Sequence, residues 1–163
     1  MNYAIRFAEP SDYPPIIRVV DAWWGGRRMA DMLPRLFFVH FSGTSFVAEA
    51  PGRVVAFLVG FRSQRYPDQA YIHFVGVDPA SRGSGVGRAL YEHFFDHVAA
   101  LGCTEVHCVT SPSNTGSLAF HVAMGFEALP GDAKAAGVSY ATDYDGPGES
   151  RVRLRKRLGS EQR

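Results

Sequence analysis

Glycines at 83, 85 and 87, flanked by Arg82 and Arg88, close an apolar run and open a helical pattern. That combination suits a bound phosphate. Without side chains the backbone lets an anion approach closely, and the first turn of the helix that follows offers amide hydrogens with no helical acceptor. The two arginines add formal charge beside it. Spacing narrows the ligand, because a dinucleotide fold wants GxGxxG and a triphosphatase wants GxxxxGK[ST]. Counted from Gly83, the third position of the dinucleotide fingerprint falls on Arg88, and no Lys-Ser or Lys-Thr pair follows the glycines. The stretch reads RxxGxG from Arg82 to Gly87.

A strand must run into that turn and a helix must leave it. The run from Ala70 to Val77 is apolar at both parities, as a central strand covered on both faces would be. Gly76 within it suggests either a bulge or a close packing contact. From Val86 onward Leu90, Phe94, Val98 and Leu101 fall at helical spacing, and Glu105 to Thr110 reads as a further strand. Ala70 to Thr110 is therefore a strand, helix, strand crossover, which implies parallel pairing. Ahead of it, a strand near Tyr3 to Ala8 precedes a helix from about Ser11, with Pro14 and Pro15 in its first turn and Gly25-Gly26 at its end. A second helix is expected over roughly Arg28 to His40. A hairpin then joins Ser45 to Ala50 and Val54 to Phe61 through Pro51-Gly52-Arg53.

The RxxGxG turn resembles the pyrophosphate loop of the GNAT superfamily of acyl-CoA-dependent N-acyltransferases, which carries [QR]xxGx[GA] between a strand and a helix. The likeness covers nearly the whole chain. Ala4 to Asp12 looks like that family's opening strand and first helix cap, and Asn114 to Phe126 like its later CoA-contacting helix. The resemblance implies an α/β fold with α+β layering: a mixed, mostly antiparallel sheet with a central parallel strand pair and helices on both faces. It also implies one N-acetyltransferase domain over residues 1–163, acetyl-CoA as donor and a small-molecule or peptide amine as acceptor. Val75, Gly76, Val77, Arg82, Gly83, Ser84, Gly85, Val86, Gly87 and Arg88 would hold the donor with Asn114, Ser117 and His121. Ser113 or Asn114 would also be expected merely as a helix cap.

In that family the amine attacks the thioester directly, so the site needs an oxyanion donor, a base and an acid. The resemblance assigns the first to the backbone amide of Val77. The base matters, because a lysine-type amine of pKa ~10.4 is neutral at pH 7 at a cost of roughly 4.6 kcal/mol. His73, four residues before Val77, is the candidate base, with a core histidine satisfied by its neighbours as the plain alternative. Glu49 is a weaker candidate. Tyr71 shares the face of His73 and is placed on the acceptor side. The family's acid is often a tyrosine five residues before the Phe of Gly125-Phe126, and here that position is His121. An imidazole of pKa ~6.5 is about a quarter charged at pH 7, so a contact to CoA suits His121 better than acid catalysis. Without the tyrosine, a non-catalytic acyl-CoA-binding or sensing module is the alternative to an enzyme. A generic nucleotide-binding domain is a third reading.

Trp23-Trp24-Gly25-Gly26-Arg27-Arg28 corresponds to the acceptor entrance of the family. Adjacent tryptophans cannot share one helix face, so one packs inward while Trp24 and Arg27 are expected to meet the acceptor. The acidic run Asp143 to Glu149 would attract a cationic acceptor or simply be a solvated loop. Arg151 to Arg155 alternates like a half-exposed edge strand. His93 and His97 stand one helical turn apart without a third ligand, which reads as a solvated helix face and no metal site. Leu36 to Phe41 would be buried in the monomer or pair two copies, and the resemblance leaves a homodimer open.

Composition agrees with a compact enzyme. The 163 residues are 46% hydrophobic, enough for one core, and 17 basic against 16 acidic residues argue against nucleic acid or a membrane surface as partner. Cys103 and Cys108 form no CxxC pair and read as reduced thiols. With Arg6 and Glu9 so early and no long apolar run, neither a signal peptide nor a membrane span is expected, which points to the cytoplasm.

Overall fold

The computed structural model describes residues 2–159. Contacts group the chain into two compact units, one running up to Arg62 and resuming over Ile72–Leu101, the other made of Ser63–Tyr71 and the chain from Gly102 onward. Hydrogen bonding orders seven strands as β1-β2-β3-β4-β5-β9-β6.

The first unit opens with β1 (Ala4–Phe7), paired antiparallel to β2 (Phe46–Ala50), which pairs antiparallel to β3 (Arg53–Arg62). Between β1 and β2 lie three short helices, α1 (Tyr13–Ile17), α2 (Val20–Trp23) and α3 (Leu36–Val39). The expected helix from Ser11 is thus broken. The amides of Arg18 and Val19 both fold back onto the carbonyl of Ile16, and α2 restarts at Val20. The 3-10 turn Pro10–Asp12 that leads into α1 starts on Glu9 rather than on Ser11: the Glu9 amide donates to Asp12 Oδ2 at 2.8 Å in a reciprocal capping box. Arg6 clamps the same carboxylate through both oxygens at 2.9 and 2.8 Å. The helix expected over 28–40 is also corrected. A 3-10 turn at Ala30–Met32 precedes α3, and between them Pro34 supplies no amide and holds Leu33 out of helical geometry.

Two layers cover this part of the sheet. Val47, Phe57 and Val59 pack with Ile16, Trp23 and Phe38 on one face. Phe46, which alternates with Val47, meets Phe94 of α4 (Val86–Ala100) edge-on at 6.5 Å. His93 and His97 stand edge-on to Phe46 at 4.7 and 5.4 Å, and His97 Nε2 donates to the Gly43 carbonyl at 2.8 Å. His93 is nonetheless exposed, as a solvated helix face would have it, and His97 is half-buried. No cluster of metal-ligating side chains occurs among the described residues.

β4 (Gln69–Val77) runs through both units. In the second, Gln69, Ala70 and Tyr71 pair in parallel with Glu105, Val106 and His107 of β5 (Glu105–Thr110), the pairing expected of the crossover. This unit also holds α5 (Thr115–Ala123), β6 (Glu127–Ala128), a separate hairpin of β7 (Ala133–Ala135) and β8 (Val138–Tyr140), and β9 (Val152–Arg157). β9 has its expected alternation, with Val152 and Leu154 buried, but it is no edge: β5 pairs one side and β6 the other. Cys103 and Cys108 are buried thiols in no disulfide, Cys103 Sγ donating to the Pro67 carbonyl at 3.7 Å, and burial pushes the Cys108 thiol up to about 12. No helix among the described residues is long and apolar enough to cross a membrane.

Candidate active site

The turn after β4 is built by side-chain caps and two glycines. Asp78 Oδ1 accepts from the Ala80 amide at 3.0 Å and starts a single 3-10 turn, Pro79–Ser81. Its other oxygen pairs with Arg53, and that guanidinium, first among the causes, holds the Asp78 carboxyl below the usual range. Gly83 and Gly85 then adopt φ of +80° and +84°, the left-handed region, and a Cβ on either would meet no atom within 4 Å. Gly85 is the N-cap of α4, so the first-turn amides face an open, side-chain-free cradle. Ser81 Oγ is buried beside it with no hydrogen-bond partner, and Ser84 Oγ donates to the Ser81 carbonyl at 2.5 Å. An orphaned hydroxyl, a glycine cradle and a fifteen-residue helix behind it fit a pyrophosphate. Arg82 has a second task, since its Nη2 donates to the Trp23 carbonyl at 2.5 Å and ties the turn to the end of α2.

Within the first unit, His73 and Phe74 of β4 reach the same aromatic cluster. His73 stacks on Phe37 at 4.7 Å, while Phe74 stacks on Trp24 at 5.0 Å and tilts against Phe57 at 5.6 Å. Phe37 and Phe57 belong to one core cluster. Gly76 itself is packed: a Cβ there would lie 2.6 Å from Phe57 Cζ and 3.1 Å from Trp24. The partners are a ring of the adjacent strand and a tryptophan. Val77 lies over Gly87 of α4, 3.6 Å from the place a Cβ would take.

The His73 ring has a defined proton. Nε2 lies 2.7 Å from the Met32 carbonyl, which can only accept, so Nε2 carries hydrogen and the neutral ring keeps its lone pair on Nδ1. Glu49, the weaker candidate, is engaged by Arg6 Nε at 3.0 Å. One of the two tryptophans packs inward, as expected. Trp23 is buried and stacks on Phe57 at 6.0 Å, and Trp24 is half-buried on Phe74, with Arg27 exposed.

The second unit holds the remaining predicted residues. Asn114 caps α5, its Oδ1 accepting from the Ser117 amide at 3.1 Å. His121 Nδ1 donates to the Ser117 carbonyl at 2.7 Å, and the ring meets Phe120 and Phe126 edge-on. His121 is 7% exposed, and burial, only partly countered by that hydrogen bond, lowers its pKa below 6.5. Its charged fraction at neutral pH is therefore smaller still. Burial first, then the neighbouring Cys108, Tyr144 and Asp145, raise the Tyr71 phenol far above its usual value and keep it protonated. Two of the three carboxylates of the acidic run share one cation, Arg151, which binds Asp145 and Glu149 at 2.9 and 3.0 Å.

Sequence reasoning missed Asp21, whose Oδ1 accepts from the Met29 and Ala30 amides at 2.7 and 2.8 Å, and the Met32 carbonyl on His73. Only an Asp ahead of a glycine pair hinted at the first. Phe57 behind Gly76 was equally invisible, since the contact joins different strands.

A mixed sheet whose central strand enters a glycine turn at a helix N-terminus defines an anion-binding α/β domain. Residues 6–126 match the acetyltransferase (GNAT) family, and the chain belongs to it. It is 39% identical over 84 residues to the L-2,4-diaminobutyric acid acetyltransferase of Nocardia farcinica, a match covering 52% of this chain and 44% of that protein. A mycothiol acetyltransferase of Gordonia bronchialis is 30% identical over 130 residues, 74% of this chain and 42% of that one. The chain thus spans about half, or less, of these relatives. Ard1 from Thermoplasma volcanium has the same fold, with a TM-score of 0.76 at 18% identity over 98% of this chain and 100% of the other.

Proposed function

We propose that this chain is an N-acetyltransferase that moves an acetyl group from acetyl-CoA to a primary amine by direct attack in a ternary complex. The observation that carries the reading is the RxxGxG turn, with two left-handed glycines at the head of α4, in a chain of the GNAT family. The family match runs through residues of both compact units, which supports one catalytic domain. Gly83, Ser84, Gly85, Val86, Gly87 and Arg88 hold the diphosphate, with Arg82 bracing the turn. Val75, Gly76 and Val77 line the donor arm, and the Val77 amide meets the thioester oxygen. Asn114, Ser117 and His121 contact the donor from α5. Trp24, Arg27 and Tyr71 face the amine. The buried thiols, in no disulfide, suit a reducing cytoplasm.

His73 Nδ1 takes the proton from the ammonium. At about 3.3 Å of rise per residue, some 13 Å separate the Cα atoms of His73 and Val77, more than an imidazole spans, so the proton travels through water. Neutral His121 cannot donate the last proton efficiently, and water delivers it to the thiolate. That same feature favours a second reading, a non-catalytic acyl-CoA sensor, because the family's tyrosine is replaced by a buried imidazole of lowered pKa. Thiol release from acetyl-CoA across a panel of amines separates the two. The enzyme gives amine-dependent release that falls on the order of 10²-fold in His73→Ala; acetyl-CoA binding with no release on any amine supports the sensor.

A further inference from the structure

We infer that Asp21 is a positioning residue that sets which nitrogen of His73 keeps the lone pair, acting through the turn that ends at Met32. The inference rests on the reading of His73 as the base. Asp21 lies on α2, and both its backbone and side chain organise the segment that follows. Its carbonyl accepts from the Trp24 and Gly26 amides at 3.1 and 2.9 Å, closing the end of the helix. Its Oδ1 reaches ahead to the Met29 and Ala30 amides at 2.7 and 2.8 Å. One residue therefore ties both ends of the loop that carries Trp24 and Arg27.

The two amides held by Oδ1 stand where the 3-10 turn Ala30–Met32 begins. Amides there lack a carbonyl partner within the turn, and a carboxylate satisfies them with charge-assisted hydrogen bonds. Met32 ends that turn, two residues beyond Ala30, and its carbonyl lies 2.7 Å from His73 Nε2. Phe37 fixes the ring plane by stacking, but stacking does not distinguish the nitrogens. The carbonyl does, since it accepts a proton and has none to give. The order of dependence is therefore Asp21 Oδ1, the turn, the Met32 carbonyl and the Nε2 hydrogen, which leaves Nδ1 as the basic site. Releasing the turn returns the neutral ring to a mixture of tautomers.

Both bonds land on the same oxygen, which makes a sharp test available. Asp21→Asn retains Oδ1 as an acceptor, whereas Asp21→Ala and Asp21→Ser cannot reach the amides. Imidazole nitrogen-15 shifts of His73, assigned by loss of the signals in His73→Ala, report the tautomer directly. In the unaltered protein the neutral ring shows a protonated Nε2 and an unprotonated Nδ1. Asp21→Asn keeps that pattern and its turnover. Asp21→Ala and Asp21→Ser give averaged shifts and about a tenfold loss in kcat, while acetyl-CoA affinity, which does not involve the turn, stays within about twofold. A neutral His73 protonated on Nδ1 in the unaltered protein overturns the inference without any variant. So does an unchanged pattern in Asp21→Ala or Asp21→Ser. If instead His73→Ala turns over normally while the Asp21 variants shift the tautomer, the positioning stands and the base assignment falls.

Discussion

Two histidines of this chain differ in which nitrogen a carbonyl engages, and their chemistry differs accordingly. His73 gives its Nε2 hydrogen to Met32 and keeps Nδ1 basic, whereas His121 gives Nδ1 to Ser117 inside an aromatic shell. Because burial lowers the folded pKa of His121, the unfolded chain takes up a proton before the folded one does. Its contribution to stability is complete above about pH 6.5 and is lost as the pH falls through the lower folded value. Denaturant midpoints from pH 7.5 to 5 should therefore decline less steeply in His121→Phe than in the unaltered protein; equal slopes would show that the burial does not matter. Gly76 offers a second test at this scale. Phe57 is fully buried between Trp23 and Phe74, so its ring cannot swing away from a Cβ at 76. Gly76→Ala should cost about 1–3 kcal/mol in a urea melt.

Among the elements, the turn and α5 depend most on single caps. Asn114→Ala removes the side-chain acceptor at the start of a nine-residue helix and should cost about 0.5–2 kcal/mol, with Asn114→Ser largely restoring the loss. Such caps were legible because Asn114 precedes its helix directly. The hairpin, α4 and the parallel crossover were legible for the same reason, each being written in a local period or turn signal. The interruption of the first helix was not, because it follows from amides folding back on Ile16 rather than from a strong breaker. Pro34 could have warned against a helix over 28–40, yet the apolar spacing on either side masked it. Asp21 escaped notice because its hydrogen bonds span eight and nine residues, beyond any capping pattern.

At the scale of the whole molecule, the RxxGxG turn, with the family likeness of Ala4 to Asp12 and Asn114 to Phe126, led to the family and through it to the fold. They left the acceptor open, and the ring contacts near the proposed acceptor side join distant segments that no local pattern links: Trp24 on Phe74, Phe37 on His73. The donor is the claim on which the rest depends, and a thermal melt with and without acetyl-CoA tests it most directly. Ligand at about 100 times its dissociation constant should add about 2.7 kcal/mol of stability. For a chain of 163 residues that corresponds to a rise of roughly 5 to 11 °C, absent with ATP or NAD and reduced in Gly85→Ala, which strains a left-handed cap. No rise at millimolar acetyl-CoA, or an equal rise with ATP, would contradict the reading of this turn as the acyl-CoA site.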